Sequence, residues 1–335
     1  MKAIVLKQFG GTEHFALEEV PTPEAGGNLV LIRIKAIAFN PIDYQMRRGL
    51  GEAKLLQSPI LGREFAGVVA DPGGSSFNKG DAVYAYSGSL GSNGTYAEYI
   101  SLPSGLLAPM PPNLDFTVAA AVPMVSLTAL QCLGRMQAGG EETVFIAGGA
   151  GGVGSVLIQL LKLNGAKNIV TTAGSEESRQ SLLALGLPDS AIIDYRTQDL
   201  YGRVLDANGG RPFDHCVDIV GGAMSELCSR LLAVFGSYYD IAFLGTNAAR
   251  EALFDKAATI HNVANYAYAA GEDPESYNVY SGMLRYLSGL LQSGKLQPPS
   301  VLNLGSFSVA TVAEAHRMME ENRTNGRKLV MEVGA

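Results

Sequence analysis

The segment Thr143-Val-Phe-Ile-Ala-Gly-Gly-Ala-Gly-Gly-Val-Gly-Ser155 constrains the fold of this chain more than any other stretch. An apolar strand runs straight into a glycine-rich turn and then into an apolar helix, Val153 to Leu163. Gly149, Gly151 and Gly154 fill the three positions of G-x-G-x-x-G. The first lets the chain turn sharply, the second lets a pyrophosphate approach the backbone, and the third lets helix and strand pack closely. The helix start offers unpaired N–H groups and a positive dipole end, so Ala150, Gly152 and Val153 join the three glycines as candidate phosphate contacts. Gly-rich turns are common in a chain with 40 glycines, and a purely structural turn is the plain alternative. Here a second strand, Asn168 to Ala173, completes a βαβ unit, and that context points to dinucleotide binding.

The end of that second strand bears on which dinucleotide binds. An NAD site usually carries Asp or Glu there for the ribose hydroxyls. This chain reads Thr171-Thr-Ala-Gly-Ser175, followed by Glu176, Glu177, Ser178 and Arg179. The Ser175 hydroxyl and the Arg179 guanidinium suit the 2′-phosphate of NADP(H). Ser175 also reads as a helix N-cap ahead of two acids that complement the dipole, and both roles can hold together. Glu176 or Glu177 reaching the ribose is the competing NAD reading.

At 335 residues the chain suits two domains rather than one average core. Apolar content of 47% against 17% charged residues describes an ordinary globular protein. A net charge of −7 argues against nucleic acid or an anionic membrane as the main partner. Cys132, Cys216 and Cys228 are odd in number and show no C-x-x-C spacing, so a reducing compartment is expected. The longest apolar candidate, Val118 to Leu133, is short, contains Pro123, and reads as a buried helix rather than a membrane span. With no signal peptide evident at Met1 to Leu6, the expected address is cytoplasmic.

Residues 1–120 read as β-rich, with short apolar or alternating runs between Gly, Pro and Asp turns. Residues 121–265 alternate strands and helices, the pattern of a parallel, doubly wound sheet. Residues 266–335 carry two helical segments and the strand-like Lys328-Leu-Val-Met-Glu-Val333, which suggests a return of the chain to the first domain. The fold class is therefore α/β.

With these parts in place, the chain resembles the medium-chain dehydrogenase/reductase superfamily, and within it the zinc-independent quinone oxidoreductase (zeta-crystallin-like) and enoyl reductase branch. The likeness is carried by Ala38-Phe-Asn-Pro-Ile-Asp43 with Arg47 and Gly49, by Pro59-Ile-Leu-Gly-Arg-Glu-Phe-Ala-Gly-Val-Val69, and by Gly80-Asp-Ala-Val-Tyr84. Gly94-Thr-Tyr-Ala-Glu-Tyr99, Ala119-Ala-Ala-Val-Pro123, Thr128-Ala129 and the glycine motif complete it. It implies a GroES-like catalytic domain interrupted by a Rossmann domain, an active site in the cleft between them, and a homodimer formed through Rossmann sheet edges.

In the zinc members of that superfamily the Asn40 region carries a Cys, and the position of Arg63 carries a His next to Glu. Neither ligand occurs here, so no metal site is expected, and substrate oxygen must be polarised by hydrogen-bond donors. The resemblance places Asn40 near nicotinamide and substrate, where the plain reading is a turn residue before Pro41. Gln45 stands where the family often has Tyr. Tyr44 beside it either replaces that proton donor or simply packs its ring. Thr128 resembles the residue that contacts the nicotinamide carboxamide, with a threonine bonded to its own helix as the alternative. Tyr195 matches a position against the adenosine phosphate, and Phe243 and Leu244 match a loop meeting the nicotinamide. Each of these three also reads as core or rim. Arg327 or Lys328 reads either as neutralising a phosphate or as surface charge, Arg63 and Glu64 as a structural or cleft-lining pair, and Asp43 as a fold-stabilising acceptor.

The reaction implied is NADPH-dependent hydride transfer to a small electrophilic acceptor, a quinone or an α,β-unsaturated carbonyl. An NADP-dependent alcohol–ketone oxidoreductase and a non-catalytic NADPH-binding protein are the competing readings.

Overall fold

The computed structural model describes residues 1–88, 94–136, 140–269 and 274–334. In chain order, the first part holds strands β1 (Lys2–Leu6), β2 (Phe15–Glu19) and β3 (Leu29–Ala38), then helix α1 (Pro41–Arg47). Strands β4 (Glu64–Asp71), β5 (Ala82–Tyr86), β6 (Tyr99–Pro103) and β7 (Ala108–Pro109) follow, with helices α2 (Phe116–Ala120) and α3 (Pro123–Arg135). The expected single helix from Val118 to Leu133 is thus two, broken where Pro123 cannot continue the hydrogen-bond ladder.

An alternating part comes next: β8 (Thr143–Ala147), α4 (Gly152–Leu163), β9 (Asn168–Ala173), α5 (Glu176–Ala184), β10 (Ile192–Asp194) and α6 (Leu200–Ala207). It continues through β11 (Phe213–Asp218), α7 (Ala223–Leu231), β12 (Leu232–Asp240), α8 (Asn247–Asp255) and β13 (Thr259–Asn262). The tail supplies α9 (Asn278–Gln292), β14 (Val301–Ser306), α10 (Val309–Glu320) and β15 (Lys328–Glu332).

Two compact units result. One combines Met1–Leu127 with Asn265–Ala335, and the other is Thr128–Ala264, the division falling within α3. In the second unit all paired strands run parallel in the order β10-β9-β8-β11-β12-β13. Every residue of β8 is buried, as a strand covered on both faces by crossover helices must be. In the first unit β15 lies between β14 and β3, antiparallel to β3, with Val330 opposite Ala38. The chain end is therefore an interior strand of the first unit's sheet. Among the described residues, no helix is long and apolar enough to cross a membrane.

The first unit's core also encloses ionisable groups. His316 on α10 is fully buried against Phe15, Phe39 and Tyr96. Arg47 Nε donates to its Nδ1 at 3.3 Å, which leaves the proton of the neutral ring on Nε2, 3.0 Å from the Tyr96 hydroxyl. Burial, helped by the Arg47 charge, holds the imidazole down to about 3 from its ordinary 6.5. An unfolded chain takes up that proton near 6.5 and the folded one does not. Stability is thus intact above pH 6.5 and is lost as pH falls toward 3. Denaturant titrations of wild type and His316→Gln are expected to diverge in this window, with the variant's midpoint flatter against pH. Parallel profiles would remove His316 as the cause.

Candidate active site

The first group of site residues lies in the Asn40 region. Pro41 opens α1 with its fixed φ at a position whose N–H needs no helical partner, and Asn40 caps it. The Asp43 carboxylate reaches back to the Asn40 backbone N–H at 2.8 Å. Asp43 is completely buried, and that burial raises its carboxyl from 3.8 to about 7. The Asn40 side chain turns inward and is only 3% exposed. Its Nδ2 donates to Glu64 Oε1 at 2.8 Å, and its Oδ1 accepts from Lys328 Nζ at 2.6 Å. Lys328 also donates to Phe39 O at 3.0 Å and forms an ion pair with Glu64. Glu64 Oε2 accepts the backbone N–H of Met124 at 2.8 Å, in the first turn of α3. That helix carries Thr128, which is buried.

Two expectations change here. Lys328 is neither a surface charge nor placed for a phosphate, because it is buried and all three of its ammonium donors are engaged. Arg63 and Glu64 do not pair with each other: Arg63 immediately precedes β4, Glu64 opens it, and their side chains reach different partners. Arg63 points to Glu52 at 2.6 Å, Tyr86 at 3.3 Å and the Met46 sulfur, whereas Glu64 points to Asn40 and Lys328. Tyr44 is half-buried on α1, and among the described residues its hydroxyl has no hydrogen-bond partner.

The second group lies at the carboxyl ends of the parallel strands. The positive φ of the glycine turn falls at Gly148 (φ 90°), one residue before the position expected from the motif. Gly149 is required for another reason: a Cβ there would stand 2.1 Å from Thr171 Oγ1, which accepts the Gly149 N–H at 3.0 Å. Gly154 plays its expected part, since a Cβ would meet Gly148 O and Gly149 Cα at 2.5 Å. Gly151 is the N-cap residue of α4, so Gly152, Val153 and Gly154 present first-turn N–H groups, just beyond Ala150.

At the neighbouring strand end, Ser175 caps α5 by accepting the Ser178 N–H at 3.2 Å. The Tyr195 ring lies over Gly174, where a Cβ would come within 2.2 Å of it. Arg179 is turned elsewhere, donating to Ile192 O at 3.0 Å and pairing with Asp189. Sequence reasoning missed Arg196. It is exposed directly after Tyr195 and bonds Asp194 through Nε at 2.9 Å and Nη2 at 2.8 Å. Strands β10 and β9 pair with Asp194 opposite Ala173, so Arg196 and Ser175 each lie two residues past that matched pair. The adjacency to Tyr195 at a strand end was the signal available.

Beyond β12, Phe243 is exposed with φ 53°, its N–H held by Asp240 Oδ1 at 2.8 Å. Leu244 packs over Gly221 and accepts the Gly222 N–H at 2.9 Å. Asp218 orders the loop after β11 through the N–H groups of Val220 and Gly221 and through the hydroxyls of Ser225 and Tyr238.

Residues 26–112 match the model of the alcohol dehydrogenase GroES-like domain, and residues 189–330 match that of the zinc-binding dehydrogenases. The chain is 31% identical over 342 residues to the 2-methylene-furan-3-one reductase of Solanum lycopersicum, covering 98% of this chain and 79% of the relative. It is 29% identical over 350 residues to the chloroplastic NADPH-dependent alkenal/one oxidoreductase of Arabidopsis thaliana, with the same coverages. The chain belongs to the medium-chain dehydrogenase/reductase superfamily. Within that superfamily it falls in the branch of the quinone and enoyl reductases. The solved quinone oxidoreductase from Coxiella burnetii superposes with a TM-score of 0.82 at 30% identity, over 100% of this chain and 99% of the other.

In this superfamily member the third motif glycine is a packing requirement, and that is open to test. Gly154→Ala is expected to cost at least ~1 kcal/mol, because backbone rather than a flexible side chain blocks the new methyl. Thermal unfolding would show the loss as a lower midpoint, and an unchanged midpoint would contradict the packing account.

Proposed function

We propose that the chain is an NADPH-dependent reductase of quinones or α,β-unsaturated carbonyls, working without zinc. The observation that carries the reading furthest is the buried Asn40 amide, fixed on two sides by charged groups. The cofactor, when bound, supplies a hydride with its electron pair. The residues of this chain hold and polarise. The N–H groups of Ala150, Gly152, Val153 and Gly154 face the pyrophosphate. Ser175 and Tyr195 take the adenosine side, Thr128 and the Phe243–Leu244 loop take the nicotinamide side, and Asn40 faces the acceptor.

For an enone, hydride addition at the β-carbon moves the alkene π-pair toward the carbonyl oxygen. One solvent proton, passed directly or through the Tyr44 hydroxyl, completes the reduced product. Negative charge develops on that oxygen, and an aimed hydrogen-bond donor stabilises it. The engagement of Arg63 with Glu52 and Tyr86 supports the zinc-free reading, since arginine cannot ligate a cation. The edge strand β13, with Ile260 exposed and, among the described residues, β12 as its one neighbour, supports a homodimer joined edge to edge. We place the protein in the cytoplasm.

Preference for NADPH rests on Ser175 and Arg196 rather than Arg179. Oxidation of NADPH and NADH should be followed against a panel of quinones, enals and enones. NADPH turnover with one of these classes is expected, and consumption of neither cofactor would sink the reductase reading. Arg196→Ala is expected to raise the NADPH KM about tenfold, equivalent to ~1.4 kcal/mol, and to leave the NADH KM unchanged. Arg179→Ala should change neither by more than about twofold. The reverse ranking of these variants would return the phosphate contact to Arg179.

A further inference from the structure

Two charged groups meet the Asn40 amide, and their chemistry fixes its orientation. A lysine ammonium only donates and a carboxylate only accepts. The Asn40 atom 2.6 Å from Lys328 Nζ is therefore the oxygen, and the atom 2.8 Å from Glu64 Oε1 is the nitrogen. Amide orientation is normally an assignment, and here both ends demand the same answer. The oxygen is thus occupied by a cation. One Nδ2 hydrogen goes to Glu64, and among the described residues the other has no acceptor.

We propose that Lys328, acting with Glu64, is a positioning residue that makes Asn40 a hydrogen-bond donor only, aimed at the carbonyl oxygen of the acceptor. The inference deepens the reductase reading and rests on it. Lys328 touches no reacting atom. It withholds the Asn40 oxygen from the substrate, prevents the amide from flipping, and draws electron density from the N–H that meets the growing negative charge. An acceptor carbonyl gains from such a donor. An alcohol hydroxyl, which must give up its own proton, finds no oxygen on Asn40 to receive it. The lock therefore favours electron-poor carbonyl compounds over alcohols as substrates.

The test is a cycle between Asn40→Ala and the paired substitution Lys328→Met with Glu64→Gln. The pair removes both charges at once, so neither is left buried and alone, and the glutamine can bond the amide in either orientation. In the Asn40 background the pair is expected to lower kcat with an enone about tenfold or more. Measured well below the unfolding midpoint of each variant, the NADPH dissociation constant should stay close to wild type. In the Asn40→Ala background the same pair should change kcat by less than about twofold, since nothing remains for it to orient. Equal losses in both backgrounds would overturn the proposal and leave a purely structural cluster.

A second readout does not need turnover. The side-chain amide of Asn40, labelled with 15N, should give one slowly exchanging pair of resonances in the wild-type protein. In the charge-free pair each of these resonances should shift and broaden as the amide exchanges between its two orientations, the two protons staying distinct from one another. An amide indifferent to the pair would refute the lock whatever the kinetics. Wild-type protein that turns over no acceptor, or an Asn40→Ala variant with unchanged kcat, would instead defeat the functional reading beneath it.

Discussion

The ion pair between Lys328 and Glu64 is the interaction on which the first unit depends. A buried charge is tolerated only when paired and hydrogen-bonded, and removing one partner of such a pair typically costs ~3–5 kcal/mol. Lys328 opens the last strand, Glu64 opens β4, and Asn40 stands between β3 and α1. One ammonium therefore ties the chain end to two early segments, and Glu64 passes the connection to α3 through the Met124 N–H. The terminal strand cannot shift register without leaving the Glu64 carboxylate buried and unpaired. The fold thereby holds the Asn40 amide in one orientation, as the proposed chemistry requires.

The second unit works by a different economy, with main-chain groups at the ends of parallel strands. Its loops are ordered by local anchors: Thr171 under the glycine turn, Asp218 under the loop after β11, and Asp240 under Phe243. None of these anchors projects toward a ligand in the proposed scheme. They leave backbone N–H groups and a few exposed side chains, Tyr195 and Phe243 among them, at these strand ends, where the proposed scheme puts the cofactor.

What was legible in the sequence follows the range of the interactions. The glycine motif, the βαβ rhythm and the N-cap at Ser175 are local, and each could be read from neighbours. The turn was still misplaced by one residue, because packing against Thr171 and not backbone torsion decides Gly149. Arg179 sits where a phosphate contact would be drawn, but Asp189, beyond the end of its helix, takes the guanidinium. Lys328 was the least legible. Lysine is among the residue types seldom buried, and its partners lie 264 and 288 positions earlier in the chain. No local pattern announces a contact of that separation.

Direct transfer of hydrogen from cofactor to carbon is the centre of this account. The decisive measurement uses NADPH deuterated at nicotinamide C4 on one face at a time, with an enone as acceptor and the product read by mass spectrometry and NMR. Deuterium from a single face appearing at the β-carbon would establish hydride transfer to an activated alkene. Product reduced only at the carbonyl carbon, or carrying no deuterium from either face, would contradict it.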